Sequence, residues 1–421
     1  MAAVRIKPPE LLPGSQDNLR PLDAGYPAGL ENAAFSMGRR FSFPAPLLLI
    51  VISKRNGCRK MLRMALLTMR SSWQNWICLI GVALVMMASS AVRADDQSGD
   101  VSTSGRLTVM EENDTFASND DRHYTQGARV SYLSGPVTSG GGWDQPYIWL
   151  GDNLPIFDGG DRKRKYEWTI VGQSIFTPTN TLRVNPSPKD RPYAAWLYTG
   201  GSLLQETNQG SHHTLENVEL LMGVVGPAAL GGVTQNDFHQ FIDVNPAQGW
   251  ENQLKNEPGF VLSYERKWRF QEPLVGNLAV DAIPELGASG GNVLTYGEAG
   301  GMVRFGQNLA ADYGPDRIRP SLSGTGWFDP DQLNGDLGWY LFLGTQGRAV
   351  GHNIFLDGNT FTSSASVSKK PLVADFMGGA SLFWSSAARV DFTVTQRTKE
   401  FYGQQGHPDR FGGINLAFQF F

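Results

Sequence analysis

Three groups of residues in this 421-residue chain have types and spacings suited to chemistry. The first is Glu111-Glu112-Asn113-Asp114-Thr115, followed closely by Asp121-Arg122-His123-Tyr124-Thr125-Gln126-Gly127. If the segments around them pair as a hairpin, Asn113 and Asp114 approach Thr125. A carboxylate, an amide oxygen and a hydroxyl are hard oxygen donors of the kind that bind Ca²⁺. The plainer alternative is that Asn-Asp turns the chain and Tyr-Thr opens a strand. The second group lies in a long polar stretch from Gly226-Pro227 through Gln235-Asn236-Asp237-Phe238-His239 to Trp250. His239 is suited to take a proton from water near neutral pH, or is simply a solvated loop histidine. The third is Arg183, Lys189 and Arg191, either a phosphate-binding set or ordinary solvated loop charges. The chain shows no Gly-rich phosphate loop, zinc-type His pair or Gly-x-Ser-x-Gly elbow.

The elements that must position these groups are strands. Val390, Phe392 and Val394 alternate with Asp391, Thr393 and Thr395, and Ala128, Val130 and Tyr132 alternate with Arg129 and Ser131. Successive strand residues point to opposite faces, so each such segment has one apolar and one polar side. Twelve segments read this way: 105–111, 124–134, 165–176, 193–206, 212–224, 259–270, 276–289, 292–305, 338–351, 370–384, 388–401 and 412–421. Short Gly-rich turns (289–291, 385–387) and long polar loops (135–164, 225–257, 306–337) separate them, with the short turns expected at one end and the long loops at the other. The last segment, Ile414 to Phe421, is amphipathic and aromatic. The pattern predicts an all-β fold, a transmembrane antiparallel β-barrel of about 12 strands, in preference to a soluble sandwich or periplasmic barrel. Only a closed sheet pairs its backbone groups in hydrocarbon without helices.

The barrel is expected over residues 95–421. Residues 1–94 hold 12 basic residues and four acids, whereas 95–421 holds 24 basic and 36 acidic residues, a net of −12. Both cysteines, Cys58 and Cys78, lie upstream, so the remainder has neither a disulfide nor a cysteine nucleophile. A basic stretch (Arg59, Lys60, Arg63, Arg70), an apolar run from Ile77 to Met87 and small residues ending Val92-Arg93-Ala94 have the order of a secretory signal peptide cleaved after Ala94. Met61, Met64 or Met69 suits a leader of that length better than Met1 as the start. The acidic balance argues against a nucleic-acid partner.

At these residues the sequence resembles the outer-membrane lipid A 3′-O-deacylase family (LpxR-like). The matching pieces are Glu112-Asn113-Asp114, Tyr124-Thr125-Gln126-Gly127, Asp190-Arg191-Pro192-Tyr193-Ala194, Gly226-Pro227, and Gln235-Asn236 with His239 and Trp250 following. The resemblance implies a twelve-stranded barrel in the outer membrane of a Gram-negative bacterium, acting as a monomer. It implies removal of an ester-linked acyloxyacyl chain from lipid A of lipopolysaccharide, with Ca²⁺ dependence and a site on the lipid-facing wall. Carried over by position, Asp114 and Thr125 are the metal-site residues, Asn113 helps hold the reacting carbonyl, and His239 is the base. Arg183 matches the first of a substrate-contacting basic pair, whereas Val184 stands at the second. The family pattern has a glutamate six residues after the histidine, where this chain has Asn245; Asp243 and Asp237 are the candidate replacements.

Two rival readings stay in view. One is another outer-membrane esterase, such as a phospholipase using a serine nucleophile. The other is a non-catalytic barrel serving as pore or scaffold, since a barrel alone implies no activity.

Overall fold

The computed structural model describes residues 105–118, 121–138, 144–157, 162–319, 326–384 and 387–419. The expected leader and the terminal Phe420-Phe421 lie outside the described residues. Twelve strands close into an antiparallel barrel: β1 (Arg106–Asn113), β2 (His123–Leu133), β3 (Arg162–Thr177), β4 (Ala194–Asn208), β5 (His213–Val225), β6 (Glu257–Pro273), β7 (Leu278–Gly291), β8 (Leu294–Gln307), β9 (Leu337–Asn353), β10 (Leu372–Trp384), β11 (Ala388–Arg397) and β12 (Asp409–Gln419). Each strand pairs with its neighbours in sequence, and β1 closes on β12 from Arg106↔Gln419 to Asn113↔Gly412. Every strand falls on a segment picked out by the alternation.

The two faces are those of a membrane barrel rather than a soluble one. On β11, Arg389, Asp391, Thr393 and Thr395 are buried inside, while Phe392 and Val394 are exposed outside. Leu220, Met222, Phe260, Leu262, Leu341, Leu343 and Phe376 continue the exposed apolar surface around the wall. A water-soluble barrel has the opposite polarity; this one suits hydrocarbon outside and hydrogen-bonded polar groups within. Among the described residues, no helix is long and apolar enough to cross a membrane.

The interior is filled. Residues 308–319 and 326–336, between β8 and β9, fold into the lumen, where Tyr313 and Trp327 are completely buried. Arg317 donates to Glu112 on β1 at 2.5 Å and to Thr395 on β11 at 2.9 Å. Arg319 reaches Glu219 on β5 and Glu265 on β6 at 2.7 and 2.9 Å. Asp316 pairs with Arg129 on β2, and Asp312 with Arg304 and Arg389. Contacts to strands right round the ring identify this segment as a plug, held by ion pairs because the wall facing it is charged.

This corrects the expected division of loops. The plug segment leaves from the same end as the short turns 209–212, 274–277 and 385–387, and the two-residue turn 292–293 lies at the end carrying the long loops 178–193, 226–256 and 354–371. Loop length therefore does not separate the two ends.

Among the described residues, three short α-helices decorate the barrel: α1 (Asp144–Asn153), α2 (Gly231–Phe241) and α3 (Ile354–Asp357). The stretch around His239, expected as loop, is α2. Its eleven residues are too few to show a long helical period, and its stability comes from packing rather than propensity.

Candidate active site on the outer wall

Helix α2 lies against the outside of the barrel. Trp196, Tyr198, Phe176 and Val225 belong to an inner cluster, so their strand neighbours Ala195, Leu197, Ile175 and Val224 point outward. Those outward residues pack with Tyr193, Ala229, Ala247 and Trp250, which underlie the helix. The approach needs glycine: a Cβ on Gly231 would stand 2.4 Å from that of Ala195, and one on Gly232 would meet the Trp250 ring at 2.9 Å. Gly226, at φ 102°, turns the chain out of β5 towards this lobe. Gln173 on β3 ties it down with a bond to the Ala229 carbonyl at 2.6 Å.

His239 sits in the last turn of α2, 5% exposed. Its Nδ1 is 2.8 Å from the backbone carbonyl of Asn245, and its Nε2 is 3.3 Å from Oδ2 of Asp121, in the loop joining β1 and β2. A carbonyl can only accept, so Nδ1 carries a hydrogen. Asp121 is itself held: Gln235 donates to its Oδ1 at 3.0 Å, and Trp250 Nε1 donates to Gln235 at 2.8 Å. The hydrogen bond to Asp121 raises the His239 pKa; burial opposes this, and the charge of Asp121 and the Asn245 carbonyl add to the rise.

The same loop carries the oxygen donors. The backbone N–H of Arg122, next to Asp121, donates to Oδ2 of Asp114 at 2.9 Å. Asn113 caps the short turn 114–116, its Oδ1 accepting from the amide and hydroxyl of Thr115 at 2.9 and 2.5 Å. Thr125 is skipped by the β2–β3 register, which passes from Tyr124↔Phe176 to Gln126↔Ile175, and its hydroxyl meets that of Thr177 at 2.7 Å. The hairpin thus forms, and the long connection after β5 brings His239 to it.

Among the described residues there is no group of three or more His, Cys, Asp or Glu poised around a metal. Asp114 and Thr125 offer oxygen alone, with Thr177 adjoining, a donor set that fits a hard cation completed by carbonyls and water and does not fit zinc.

The three basic residues separate. Arg183 is exposed on the loop 178–193, which docks on the α2 lobe through Gln248 N–H to Thr181 and Asn252 to the Val184 carbonyl, both at 2.8 Å. Lys189 is exposed farther along, beside Ser366 to Ser368 and Tyr402 to Gln405. Arg191 differs from the expectation of a phosphate contact: it is completely buried, donates to Glu400 at 3.1 Å and lies over the Phe176 ring. The strand start at Ala194 turns it inward, where only another charge satisfies it.

Two residues of the first group take contacts that the sequence reading did not assign to them. Asp121, rather than Asp237 or Asp243, faces the imidazole; its one signal was the crowding of charge just before a strand. His123 is completely buried at φ 65°, with Nδ1 at 2.7 Å from Asp409 and Nε2 at 3.1 Å from Thr179, so it fastens the loops after β1, β3 and β11 together.

A plugged barrel, apolar on its outer surface, defines an outer-membrane-type β-barrel protein. The chain belongs to the family described as outer membrane protein LpxR, whose model matches residues 78–420. Among solved structures, LpxR from Salmonella typhimurium aligns with a TM-score of 0.57 at 20% identity, covering 75% of this chain and 100% of that one, which shows the shared fold. The translocator domain of the autotransporter NalP from Neisseria meningitidis aligns at 7% identity and a TM-score of 0.36, covering 82% and 98% of the two chains, too loosely to argue from. No curated protein sequence matches the chain significantly.

Proposed function

We propose that this protein is a lipid A 3′-O-deacylase that hydrolyses the ester of an acyloxyacyl chain in the outer leaflet, with Ca²⁺ as its cofactor. The observation that carries this reading is the buried imidazole of His239 on the outer wall, between the Asn245 carbonyl and Asp121, whose chain neighbour Arg122 donates its backbone N–H to Asp114.

Asn245 keeps hydrogen on Nδ1, which makes Nε2 the working nitrogen. In the neutral ring Nε2 takes a proton from water as its oxygen attacks the ester carbonyl, and Asp121 stabilises the imidazolium that results. The proton then passes from Nε2 to the departing sugar oxygen, so the products are the free acyl acid and the sugar hydroxyl, and no covalent enzyme intermediate forms. Asn113, its Oδ1 anchored by Thr115, presents its amide N–H to the carbonyl oxygen. Asp114 and Thr125 would hold a Ca²⁺, which when bound would supply Lewis-acid stabilisation of the developing negative charge. Exposed Arg183 and Lys189 offset the net acidity near an anionic glycolipid.

The rivals draw less support. Both ring nitrogens of His239 face a carbonyl and a carboxylate, not a serine hydroxyl as a phospholipase-type relay requires. The plug leaves little room for a pore. Mass analysis of lipid A from cells expressing the protein, with and without a calcium chelator, is the test: loss of the 3′ chain is expected with Ca²⁺ present, and an unchanged acyl pattern would overturn the reading.

A further inference from the structure

Arg106, the first residue of β1, lies on the inward face of the strand and is 4% exposed. Its partners in register are Leu133 on β2 and Gln419 on β12, neither of them an acid. The plug residue Phe328 covers one face of the guanidinium, whose Cζ is 3.9 Å from the ring centre. Among the described residues, Nε, Nη1 and Nη2 all lack a hydrogen-bond partner. A ring attracts the charge from above but takes none of the five N–H donors, which lie in the plane of the group. Burying those donors and their charge without a partner is costly.

The nearby carboxylates are engaged by other cations. Asp391 on β11 accepts from Nε of Arg389 at 2.7 and 3.0 Å, and Asp316 of the plug pairs with Arg129. Asp312 lies between Arg304 and Arg389. Arg389 in turn donates to the Tyr340 hydroxyl at 2.6 Å. Arg106, Thr108, Arg389, Asp391, Asp316 and Asn415 line a cavity of about 20 Å³. One water-sized species needs about 10–15 Å³, so this space takes a single small guest and excludes tetrahedral oxyanions. Water would meet the free donors but not the charge. A monatomic anion meets both, and its spherical shape asks for no matching set of acceptors.

We propose that the cavity beside Arg106 binds a small monovalent anion such as chloride, held by the Arg106 guanidinium and the Thr108 hydroxyl. Asp316, Gly326 and Phe328 of the plug meet β1, β11 and β12 of the wall around it, so the anion fastens the plug to the seam where the barrel closes. An anion that binds the folded barrel and not the unfolded chain stabilises it by mass action. The site lies in the lumen, whereas His239 lies on the outer wall, so it is independent of the deacylase reading.

The test is thermal unfolding of the full chain in detergent, followed by circular dichroism at one heating rate, with sodium chloride exchanged for sodium gluconate at equal ionic strength. Chloride is expected to raise the unfolding temperature by about 2–4 °C over gluconate, and bromide to match it. Arg106→Met removes the charge and the donors while keeping an apolar stem against Phe328. It is expected to fold and to lose the halide shift, and Arg106→Lys to keep part of it. Crystals of the native protein grown with bromide should show an anomalous peak beside the Arg106 guanidinium. No halide shift in the native protein, an equal shift in Arg106→Met, or water at that position in the bromide crystals would overturn the site. Should Arg106→Met fail to fold, the native halide shift and the bromide peak decide the matter together, and loss of either counts against the proposal.

Discussion

Nε2 of His239, on a helix after β5, lies 3.3 Å from Oδ2 of Asp121, in the loop after β1, although the two are 118 positions apart in the chain. Asp121 therefore occupies the role that its sequence distance concealed: it holds the ring, while the backbone of Asn245, the residue standing where an acid was expected, fixes the tautomer from the other side. Asp121→Asn should keep the barrel and lower kcat by about 10- to 100-fold, because the imidazolium formed during the reaction loses its counter-charge. Single-turnover hydrolysis of lipid A in detergent measures this; an unchanged kcat would remove Asp121 from the mechanism.

The pH dependence has a definite sign. The His239 pKa is raised, chiefly by its bond to Asp121, so the ring keeps its proton above the ordinary value of about 6.5. Activity that needs the neutral ring should therefore rise with pH through a midpoint above that value, and Asp121→Asn should move the midpoint down. The stability contribution runs the other way: it is present below the unfolded pKa and is lost as pH rises through the folded one. A pH–rate profile of both proteins, limited by chemistry, gives the two midpoints.

Asp114→Ala and His239→Ala should each abolish measurable deacylation, a fall of at least about 100-fold, with heat-modifiable migration intact. Chelation should reproduce the first defect in the native protein and add nothing to Asp114→Ala. Residual calcium-stimulated turnover in Asp114→Ala would place the cation elsewhere.

The plug makes a separate prediction. Arg317→Ala leaves Glu112 buried without its cation, although Tyr124 still donates to it at 2.8 Å, and should destabilise the barrel by about 3 kcal/mol. Thermal unfolding followed by circular dichroism reads the loss. The native protein should show no steady conductance in planar bilayers, whereas large stable openings would contradict a filled lumen.

The basic residues are expected to part in function as they do in space. Arg183→Ala should raise KM for an anionic lipid a few-fold, an effect that shrinks with added salt, with kcat kept. Arg191→Ala should instead lower the unfolding temperature, because Glu400 loses the nearer of its two buried arginine partners. A matching KM effect in both would mean that Arg191 is reached by substrate.

The barrel was legible in the sequence because alternation is a local property. Val390, Phe392 and Val394 against Asp391, Thr393 and Thr395 reports two faces from six consecutive residues, and all twelve strands announced themselves this way. The β1–β2 hairpin, which sets Asn113 opposite Gln126, was readable too, since a hairpin joins residues close in sequence. Tertiary structure alone decided the rest. Which charge lies inside, as Arg191 does, depends on the turn that delivers it to the strand. That residues 308–319 and 326–336 fill the lumen, and that α2 lies outside the wall with His239 against Asp121, depends on long-range contacts between loops. Such contacts leave no period in the chain, because the energy that selects them comes from partners far apart in sequence.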